Sequence, residues 1–328
     1  MSNEEFAHNP RTLLHVAAQL RRCGISPVEI FKNVGLSPAQ LLDGSRWIPR
    51  TLCFALGQEV ATVSGDPFFA SRIGESYQLT EFGVWGRTIE AAETVGDAFS
   101  VAAKGIGLLH RGTSLQLFVS RDEAQLRFAY RGHLGFDPRQ HRIGTLAVLR
   151  KIALLGNVPD AVHVHFSMPY SIGADRLEET HGSRLTFGCD HDAIVVDREL
   201  LEMRLAIPGG PALRNPDEPP DTAEQVGGLI RKLLPYERAN LRTVAARLHV
   251  SKRTLQRRLG DWGFAFEEIL DDTRRTEALK LVRSGEHSAI EIAFLLGYSD
   301  AAHFTRAFRR WTGLAPREYA RVVSGGMA

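Results

Sequence analysis

Two similar segments near the C-terminus constrain the fold of this chain more than any other feature. The first segment is 241–259, and the second is 289–308, about forty-eight residues further along. The corresponding apolar positions are Val244, Ala245, Leu248, Leu255 and Leu259 in the first segment and Ile292, Ala293, Leu296, Phe304 and Phe308 in the second. An internal repeat of this kind indicates one supersecondary unit used twice.

Each segment has the pattern of a helix-turn-helix. A short helix buries its apolar face, a turn of three or four residues follows, and a second helix packs against the first. Ser251 is predicted to cap the second helix of the first unit, and Ser299 or Asp300 that of the other. A side-chain oxygen at such a position accepts hydrogen bonds from unpaired backbone N–H groups. The predicted units are 241–260 and 289–312.

A long helix is predicted between the two units, from about Phe266 to Arg283. At 1.5 Å per residue it spans roughly 27 Å. With the flanking turns, this length suits two recognition helices in successive major-groove segments, which lie about 34 Å apart. Basic and acidic residues alternate along the helix, which predicts a solvated face with local ion pairs. The basic residues are Arg274, Arg275, Lys280 and Arg283.

Composition and charge indicate a second, N-terminal domain. The 328 residues favour two domains, and the segment from Asp221 onward has 18 Lys and Arg against 13 Asp and Glu, compared with 22 against 25 before it. A basic C-terminal part is expected of a nucleic-acid footprint. The predicted organisation is an α+β domain over 1–206, a Pro/Gly-rich linker over 207–220 and an all-α domain over 221–328.

Helical patterns fill most of the first hundred residues, and strand patterns follow. Two strands with a short turn between them are predicted at 114–120 and 125–130, where apolar and polar residues alternate. A helix is predicted at 137–155, further strands at 161–166 and 193–196, and a last helix at 197–205.

The C-terminal segment resembles the DNA-binding domain of the AraC/XylS family of transcription regulators. The matching residues are Ile292-Ala293, Leu296-Gly297-Tyr298, the run 304–313, Ala315-Pro316 and Tyr319. The resemblance implies base contacts from the outward face of each second helix and phosphate contacts beside it. The residues at base-contacting positions are Arg253, Gln256, Arg257, His303 and Arg306. The residues assigned to phosphates are Lys252, Arg258, Thr305, Arg309 and Arg310. Ala301 and Ala302 offer only methyl groups, so the second unit is expected to discriminate bases less sharply.

The N-terminal domain resembles the arabinose-binding-type sensor domain of a subgroup of AraC-type regulators that includes ornithine-utilisation regulators. The matching residues are Ile48-Pro49, Gly65-Asp66-Pro67-Phe68, Gly74-Glu75 and the run 82–86. The resemblance implies a small-molecule effector. Trp85, Arg87, Arg127, Tyr130 and His133, with His141 nearby, are candidate effector-binding residues. Aromatic and cationic side chains together favour a carboxylated or phosphorylated metabolite.

Neither catalysis nor a cofactor is predicted. The sequence has no nucleophile elbow, P-loop, dinucleotide fingerprint or zinc-protease helix. His163 and His165 alternate on a predicted strand, but a metal site needs a third ligand, so no metal is predicted. The odd, scattered Cys23, Cys53 and Cys189 indicate buried thiols in a reducing compartment.

The sequence therefore predicts a transcription regulator, more often an activator in such a family, whose effector binds the N-terminal domain. Expected partners are double-stranded promoter DNA, RNA polymerase, the effector and a second copy in a homodimer. No membrane partner is expected, and the expected location is cytoplasmic, because the sequence lacks a long apolar run and an apolar signal core. The alternative is a nucleoid-type DNA-binding protein without a ligand, which would bind unrelated sequences with similar affinity.

Overall fold

The computed structural model describes residues 6–43, 46–206, 225–236 and 239–325. Contacts divide the chain into two compact units, one of Met1–Leu36 with Arg46–Pro220 and one of Ser37–Ser45 with Asp221–Ala328. The predicted N-terminal domain over 1–206 differs from this division at Ser37–Ser45, which groups with the C-terminal unit. The predicted linker 207–220 lies outside the described residues.

The described elements are listed here in chain order. The helices are α1 (Leu14–Arg22), α2 (Pro27–Asn33), α3 (Pro38–Leu41), α4 (Arg50–Ser64), α5 (Phe69–Ser76), α6 (Val84–Glu90), α7 (Val95–Gly105), α8 (Arg139–Leu154), α9 (Glu178–His181), α10 (Val226–Leu233), α11 (Leu241–Arg247), α12 (Lys252–Asp261), α13 (Phe266–Ser284), α14 (Ala289–Leu295), α15 (Ala301–Thr312) and α16 (Pro316–Gly325). The strands are β1 (Ala7–His8), β2 (Ile48–Pro49), β3 (Thr113–Val119), β4 (Glu123–Tyr130), β5 (His163–Phe166), β6 (Leu185–Phe187) and β7 (Asp192–Asp197).

The first unit is built on a five-stranded sheet of order β3-β4-β7-β5-β6. The β5–β6 pair is parallel, and the other neighbours are antiparallel. Ala124, Leu126 and Phe128 alternate along β4 and are buried, because successive side chains of a strand point to opposite faces. Helix α8 packs against β7 and against α5. The predicted α+β class of the N-terminal domain is confirmed.

Short elements account for most differences from the predicted secondary structure. The helix predicted at 197–205 is a 3-10 helix over Arg198–Glu202. The antiparallel pair β1–β2 and the strand β6 were not predicted, because segments of two or three residues are too short to show a period. Among the described residues, no helix combines the length and the apolar composition needed to cross a bilayer.

The second unit contains both predicted helix-turn-helix pairs, α11–α12 and α14–α15, with α13 joining them. Ser251 caps α12, and its hydroxyl accepts from the Thr254 amide at 3.0 Å. Asp300 rather than Ser299 caps α15, and its carboxylate accepts from the His303 amide at 2.8 Å. These side chains satisfy amides that have no partner within the helix. Each recognition helix therefore starts at a defined residue.

The segment that contains α3 packs within the second unit against α10 and α13. Ser37 and Gln40 form a capping box that starts α3. The backbone amide of Ala39 donates to Asp272 on α13 at 3.0 Å, and Asp43 pairs with Arg231 on α10. A Cβ atom on Gly227 would lie 2.6 Å from the Ala39 carbonyl oxygen, so this close approach needs glycine.

Candidate nucleic-acid interface and buried cavity

The first recognition helix, α12, has an apolar inner face and a polar outer face. Leu255 and Leu259 are fully buried at 0% exposure. The three predicted base-contacting residues of this helix, Arg253, Gln256 and Arg257, are all exposed. Arg257 makes one ion pair, with Asp261 at 3.7 Å. An exposed pair of this kind is weak, so the guanidinium is available to a guanine edge or a phosphate at little cost.

The second recognition helix, α15, has the same division of faces, and Phe304 and Phe308 are fully buried. His303 and Arg306, the predicted base-contacting residues, are exposed. The His303 ring hydrogen-bonds the Ser299 hydroxyl at 3.0 Å and pairs with Asp300 at 2.8 Å. A base contact from His303 would therefore require it to release these local partners, whereas Arg306 makes no ion pair among the described residues.

The predicted phosphate-contacting residues differ in their availability. Lys252 and Arg309 are exposed, and Arg258 is half-buried. Thr305 is half-buried and donates its hydroxyl proton to the Ala301 carbonyl at 2.7 Å. Arg310 is exposed but pairs with Asp271 on α13. A phosphate contact from Arg310 therefore requires that it release Asp271.

Side chains of α13 hydrogen-bond other parts of the second unit, although the sequence did not predict this role for them. Arg274 donates to the carbonyls of Leu296 and Gly297, each at 3.0 Å, and its guanidinium lies 4.6 Å from the Tyr298 ring centroid. The Trp311 indole donates to Asp271 at 2.9 Å. The prediction of a wholly solvated basic face was therefore wrong for Arg274, because the turn of the second unit lies against it.

Lys280 and Arg275 make the local ion pairs that the sequence predicted, whereas Arg283 donates to the Tyr319 hydroxyl at 2.9 Å. Lys280 pairs with Glu277 at 2.6 Å, and Arg275 lies 3.9 Å from Asp272. Trp311 was expected in the core with Leu255 and Phe308, but it is only half-buried. Its indole N–H reaches Asp271, which explains a position at the edge of the core, because a buried indole needs a hydrogen-bond acceptor.

A cavity of about 100 Å³ lies inside the first unit. Its wall is mainly apolar and is formed by α1, α4, α5, α6, α8 and the segment before β3. The polar lining residues include Gln140, His110, His141 and Thr145. Gln140 already accepts from the Ala70 amide and donates to the Pro67 carbonyl. The imidazoles are therefore the polar groups best placed to meet a ligand.

The predicted effector-binding residues do not converge on this cavity. Trp85 lines it, and its indole donates to the Ala102 carbonyl at 3.0 Å. Tyr130 adjoins it through a 2.9 Å hydrogen bond to His141. Arg87 is half-buried on α6 outside the lining, and Arg127 lies over the Phe118 ring at 4.3 Å. His133 is exposed.

The cavity also lacks the charge that the sequence led us to expect. Its lining, all within the described residues, includes no Lys, Arg, Asp or Glu. The expectation of a cationic pocket for a carboxylated or phosphorylated metabolite was wrong at this cavity. Alternation in β4 places Arg127 opposite the buried face, and His133 is exposed, so neither side chain faces the cavity.

A cluster of three histidines stands beside the cavity. His8 lies on β1, His110 forms a bridge with it, and His141 lies on α8. The His8 ring centroid is 4.4 Å from each of the other two. Burial lowers the pKa of His110 to about 3, and burial together with its basic neighbours lowers the pKa of His8 and of His141 well below the usual value. All three imidazoles are therefore neutral at physiological pH.

Sequence reasoning did not find this cluster. Its members are far apart in the chain, and no spacing rule connects them. The pair that sequence did single out, His163 and His165, lies on β5 with ring centroids 4.6 Å apart, and His163 bonds the Thr186 hydroxyl. Among the described residues, the histidines near the cavity form the one group of three metal-ligating side chains.

Comparison with known protein families finds a matching family model for each of the two units. Residues 24–205 match the arabinose-binding N-terminal domain of AraC transcription regulators, which is more than half of the chain. The chain belongs to the AraC family of transcription regulators. Residues 244–321 match a helix-turn-helix domain model, which covers both recognition helices. This AraC-family chain is therefore a DNA-binding transcription regulator with a sensor-type N-terminal domain.

Several regulators are similar to this AraC-family protein over most of their length. The ornithine utilization regulator of Pseudomonas aeruginosa is 27% identical over 89% of this chain and 93% of the relative. The transcriptional regulator VqsM of the same organism is 27% identical over 75% of this chain and 82% of the relative. The crystal structure of the regulator CdpR, also from Pseudomonas aeruginosa, aligns with a TM-score of 0.40 and 22% identity over 92% of this chain and 98% of that chain.

Proposed function

We propose that this AraC-family regulator reads a long, asymmetric promoter site through α12 and α15 and that a small effector in the buried cavity controls the response. The observation that carries the DNA part is the shared geometry of the two helices. Each is capped at its start, buries two large apolar residues and presents polar side chains to solvent. Helices with such exposed faces fit the major groove.

The assignment of individual contacts forms part of this proposal. Arg253, Gln256 and Arg257 would read bases in one groove segment, and His303 and Arg306 in the next. Lys252, Arg258, Thr305, Arg309 and Arg310 would lie near phosphates. The 19 residues of α13 span about 28 Å. That length, with the turns at either end, supports two contacts about one DNA turn apart.

Selection from a random DNA library with the full chain tests this reading. We expect one enriched site with two conserved segments about 10 base pairs apart. The same protein should then bind a scrambled site at least about 1,000-fold more weakly at physiological salt. Similar affinity for the selected and scrambled sites would support the nucleoid-type alternative instead.

The effector that the cavity supports is small and largely apolar. A volume of about 100 Å³ admits a molecule no larger than roughly benzene. Its apolar wall would bind the body of such a molecule, and the imidazoles of His110 and His141 would meet one polar group. The name of the ornithine utilization regulator points to an amino acid for that relative. An amino acid carries two charges, which this uncharged lining would not compensate.

Thermal denaturation of the full chain across a panel of small compounds tests the cavity. We expect a saturable rise in Tm with small aromatic or short-chain neutral compounds and none with ornithine. Val148 lines the cavity, so Val148→Phe should fill it and abolish the rise. Val63, which is 47% exposed on α4, provides the matched control Val63→Phe, which should keep the rise. A rise with ornithine that survives Val148→Phe would refute the assignment.

The remaining parts of the proposal concern partners. The relatives are regulators rather than enzymes, and we propose no catalytic activity. We propose RNA polymerase as a partner because a promoter-binding activator acts on it, and a cytoplasmic location because such a protein works beside the chromosome. We also propose a homodimer through the N-terminal unit. Light scattering of the full chain at several concentrations tests the dimer, and transcription from the selected site with and without an active compound tests activation.

A further inference from the structure

We propose that His8, His110 and His141 bind one divalent transition-metal ion of the zinc class. One ring nitrogen of each residue lies within 4.8 Å of the others. The residues come from β1, the segment before β3 and α8, so the fold itself assembles the site. This site departs from the sequence prediction of no metal and no cofactor. A bound ion, rather than the free imidazoles of His110 and His141, would then meet the polar group of an effector in the cavity.

The strongest support is the state of the buried ring nitrogens. His8 is 0% exposed and His110 is 6% exposed. Within the part of the chain that the structure describes, neither nitrogen of either ring has a hydrogen-bond partner. A buried polar group without a partner is costly, and native proteins retain few of them. A metal ion would use one nitrogen lone pair from each ring and so turn two unmatched groups into ligands.

The third histidine already has the support that metal-binding imidazoles usually have. Nδ1 of His141 is 2.9 Å from the Tyr130 hydroxyl. A ligating histidine commonly donates its other ring N–H to an oxygen, which fixes the tautomer and the ring orientation. With Nδ1 held in this way, Nε2 of His141 is the nitrogen left for the ion. Tyr130 is thus a positioning residue for the site.

The surroundings restrict how the rings can move. Phe54 contacts the rings of His8 and His141, with centroids 6.1 and 5.5 Å away, and Phe128 lies 6.3 Å from His110. Aromatic rings therefore flank the three imidazoles. Zinc binds imidazole nitrogen at 2.0–2.1 Å, so tetrahedral nitrogens would stand about 3.4 Å apart. The ligand nitrogens, which lie within 4.8 Å of one another, therefore need to approach by up to about 1.4 Å around the ion.

The ligand type decides the class of ion. Neutral imidazoles suit zinc, copper, nickel and iron, whereas calcium and magnesium prefer oxygen. Cys53 lines the same cavity, but it is outside the three-residue group, and burial raises the pKa of its thiol, which disfavours the ligating thiolate. The proposed ligand set is therefore three nitrogens.

Two cations near the histidines bear on the charge of the site. Arg50 donates to the carbonyls of Gly112, Arg131 and His133, and Arg142 pairs with Asp192 at 2.6 Å. Three neutral ligands leave the charge of a divalent ion uncompensated, so the fourth ligand would be an oxygen, either of an anion or of water. His110 and His141 line the cavity, which places that fourth position on its side. Water that enters there would release a proton to solvent and remain as hydroxide.

The test uses the full chain, stripped with a chelator and titrated with Zn²⁺ in a calorimeter. The exposed Cys23 and the half-buried Cys189 are first replaced by serine, because free thiols also bind zinc. We expect one equivalent of Zn²⁺ per chain with a dissociation constant of micromolar or lower. Cobalt in the same site should show the intense visible bands of a four-coordinate ion, without those of thiolate ligation.

Two histidine variants locate the ion. His110→Gln/His141→Gln should lose the equivalent, while His163→Gln/His165→Gln, which removes the half-buried pair on β5, should keep it. Far-UV circular dichroism and affinity for the selected DNA establish that each variant is folded. Zinc binding that is equal in the two double variants, or that is absent from the parent protein, would overturn the proposal.

A tyrosine variant gives a graded test that leaves all three ligands in place. Tyr130→Phe removes the hydroxyl beside Nδ1 of His141 and should weaken zinc binding about 10- to 100-fold with the stoichiometry still at one. Tyr170, which is 60% exposed, provides the control Tyr170→Phe, whose affinity should equal that of the parent. Equal zinc affinity in both tyrosine variants would show that Tyr130 does not position a ligand and would count against this geometry.

Discussion

In the first helix-turn-helix unit the turn before α12 passes through His249 at φ 54°, whereas in the second the turn before α15 passes through Gly297 at φ 69°. These residues correspond in the repeat, and both adopt left-handed backbone. Glycine adopts that conformation freely, but a side chain makes it costly. The same turn is therefore strained in one unit and relaxed in the other.

The two recognition helices also differ in what holds them. Arg274 and Asp271 on α13 reach the turn and the far end of the second unit, through the Gly297 carbonyl and the Trp311 indole. On the first recognition helix Arg253 and Arg257 are exposed, and Arg257 makes a weak ion pair with Asp261. The two units therefore share a pattern of buried residues but differ in their polar side chains. The first unit exposes more side chains that could contact bases, and the second is held by more hydrogen bonds from α13. The predictions below test that contrast.

The largest expected effect is in the second unit. Arg274→Ala removes two charge-assisted hydrogen bonds to carbonyls and should lower the local free energy of opening of α14 and α15 by about 2–3 kcal/mol. Hydrogen exchange of the full chain, read by mass spectrometry, measures this directly. Lys280→Ala on the same helix, which removes only a surface pair, should change exchange little. Equal effects of the two variants would show that Arg274 does not support the turn.

The next effect concerns DNA and the first unit. Arg257→Ala should reduce discrimination between the selected site and a site altered in the first segment by about 1–3 kcal/mol, as expected for one bidentate base contact. Lys252→Ala should weaken binding to both sites by the same factor and lower the salt slope by about one. Fluorescence anisotropy at several salt concentrations gives both quantities. If Arg257→Ala leaves the ratio of the two affinities unchanged, its base-reading assignment fails.

The stability of α15 should depend on pH and that of α12 should not, because Asp300 caps α15 and Ser251 caps α12. The amide hydrogen bond from His303 lowers the pKa of Asp300, so the folded helix favours the carboxylate. The cap is therefore fully present at neutral pH and is lost as the pH falls through this lowered pKa. Ser251 does not titrate there, so α12 should not change with it. Carbon-detected NMR of Asp300 and the amides of both helices provides the measurement, and Asp300→Ser should make α15 as insensitive as α12.

The smallest effect is at the turns. His249→Gly relieves left-handed strain but adds freedom to the unfolded chain, so the first unit should gain only about 0.5 kcal/mol. Gly297→Ala should instead destabilise the second unit by about 1 kcal/mol. Hydrogen exchange of α11, α12, α14 and α15 measures the change in stability in each variant. A loss of stability in His249→Gly would show that the imidazole makes a contact that outweighs the strain.

Much of this architecture was accessible from the chain alone because it depends on local periodicity. The sequence predicted α11–α12, α13 and α14–α15, and Ser251 acts as the predicted cap of α12. The alternating patterns at 114–120 and 125–130, with a short turn between them, predicted the β3–β4 pair. Such features depend on residues a few positions apart, whose physical effects are the same in any fold.

The cavity and its surroundings were not accessible in this way. Trp85 lines the cavity, whereas Arg87, Arg127 and His133, which the sequence analysis grouped with it, do not. Which of them share a surface depends on the register of β4 and on how α6 packs. Both are fixed by contacts between distant segments.

The sequence by itself determined that two helix-turn-helix units would form and which of their faces would be apolar. Only the tertiary structure decided that Asp300 rather than Ser299 caps α15, that Arg274 faces the turn and that Ser37–Ser45 packs within the C-terminal unit. It also brought His8, His110 and His141 together. The reason is that helical and strand periods act over a few residues, whereas the burial of polar groups is settled by whichever distant residues pack against them.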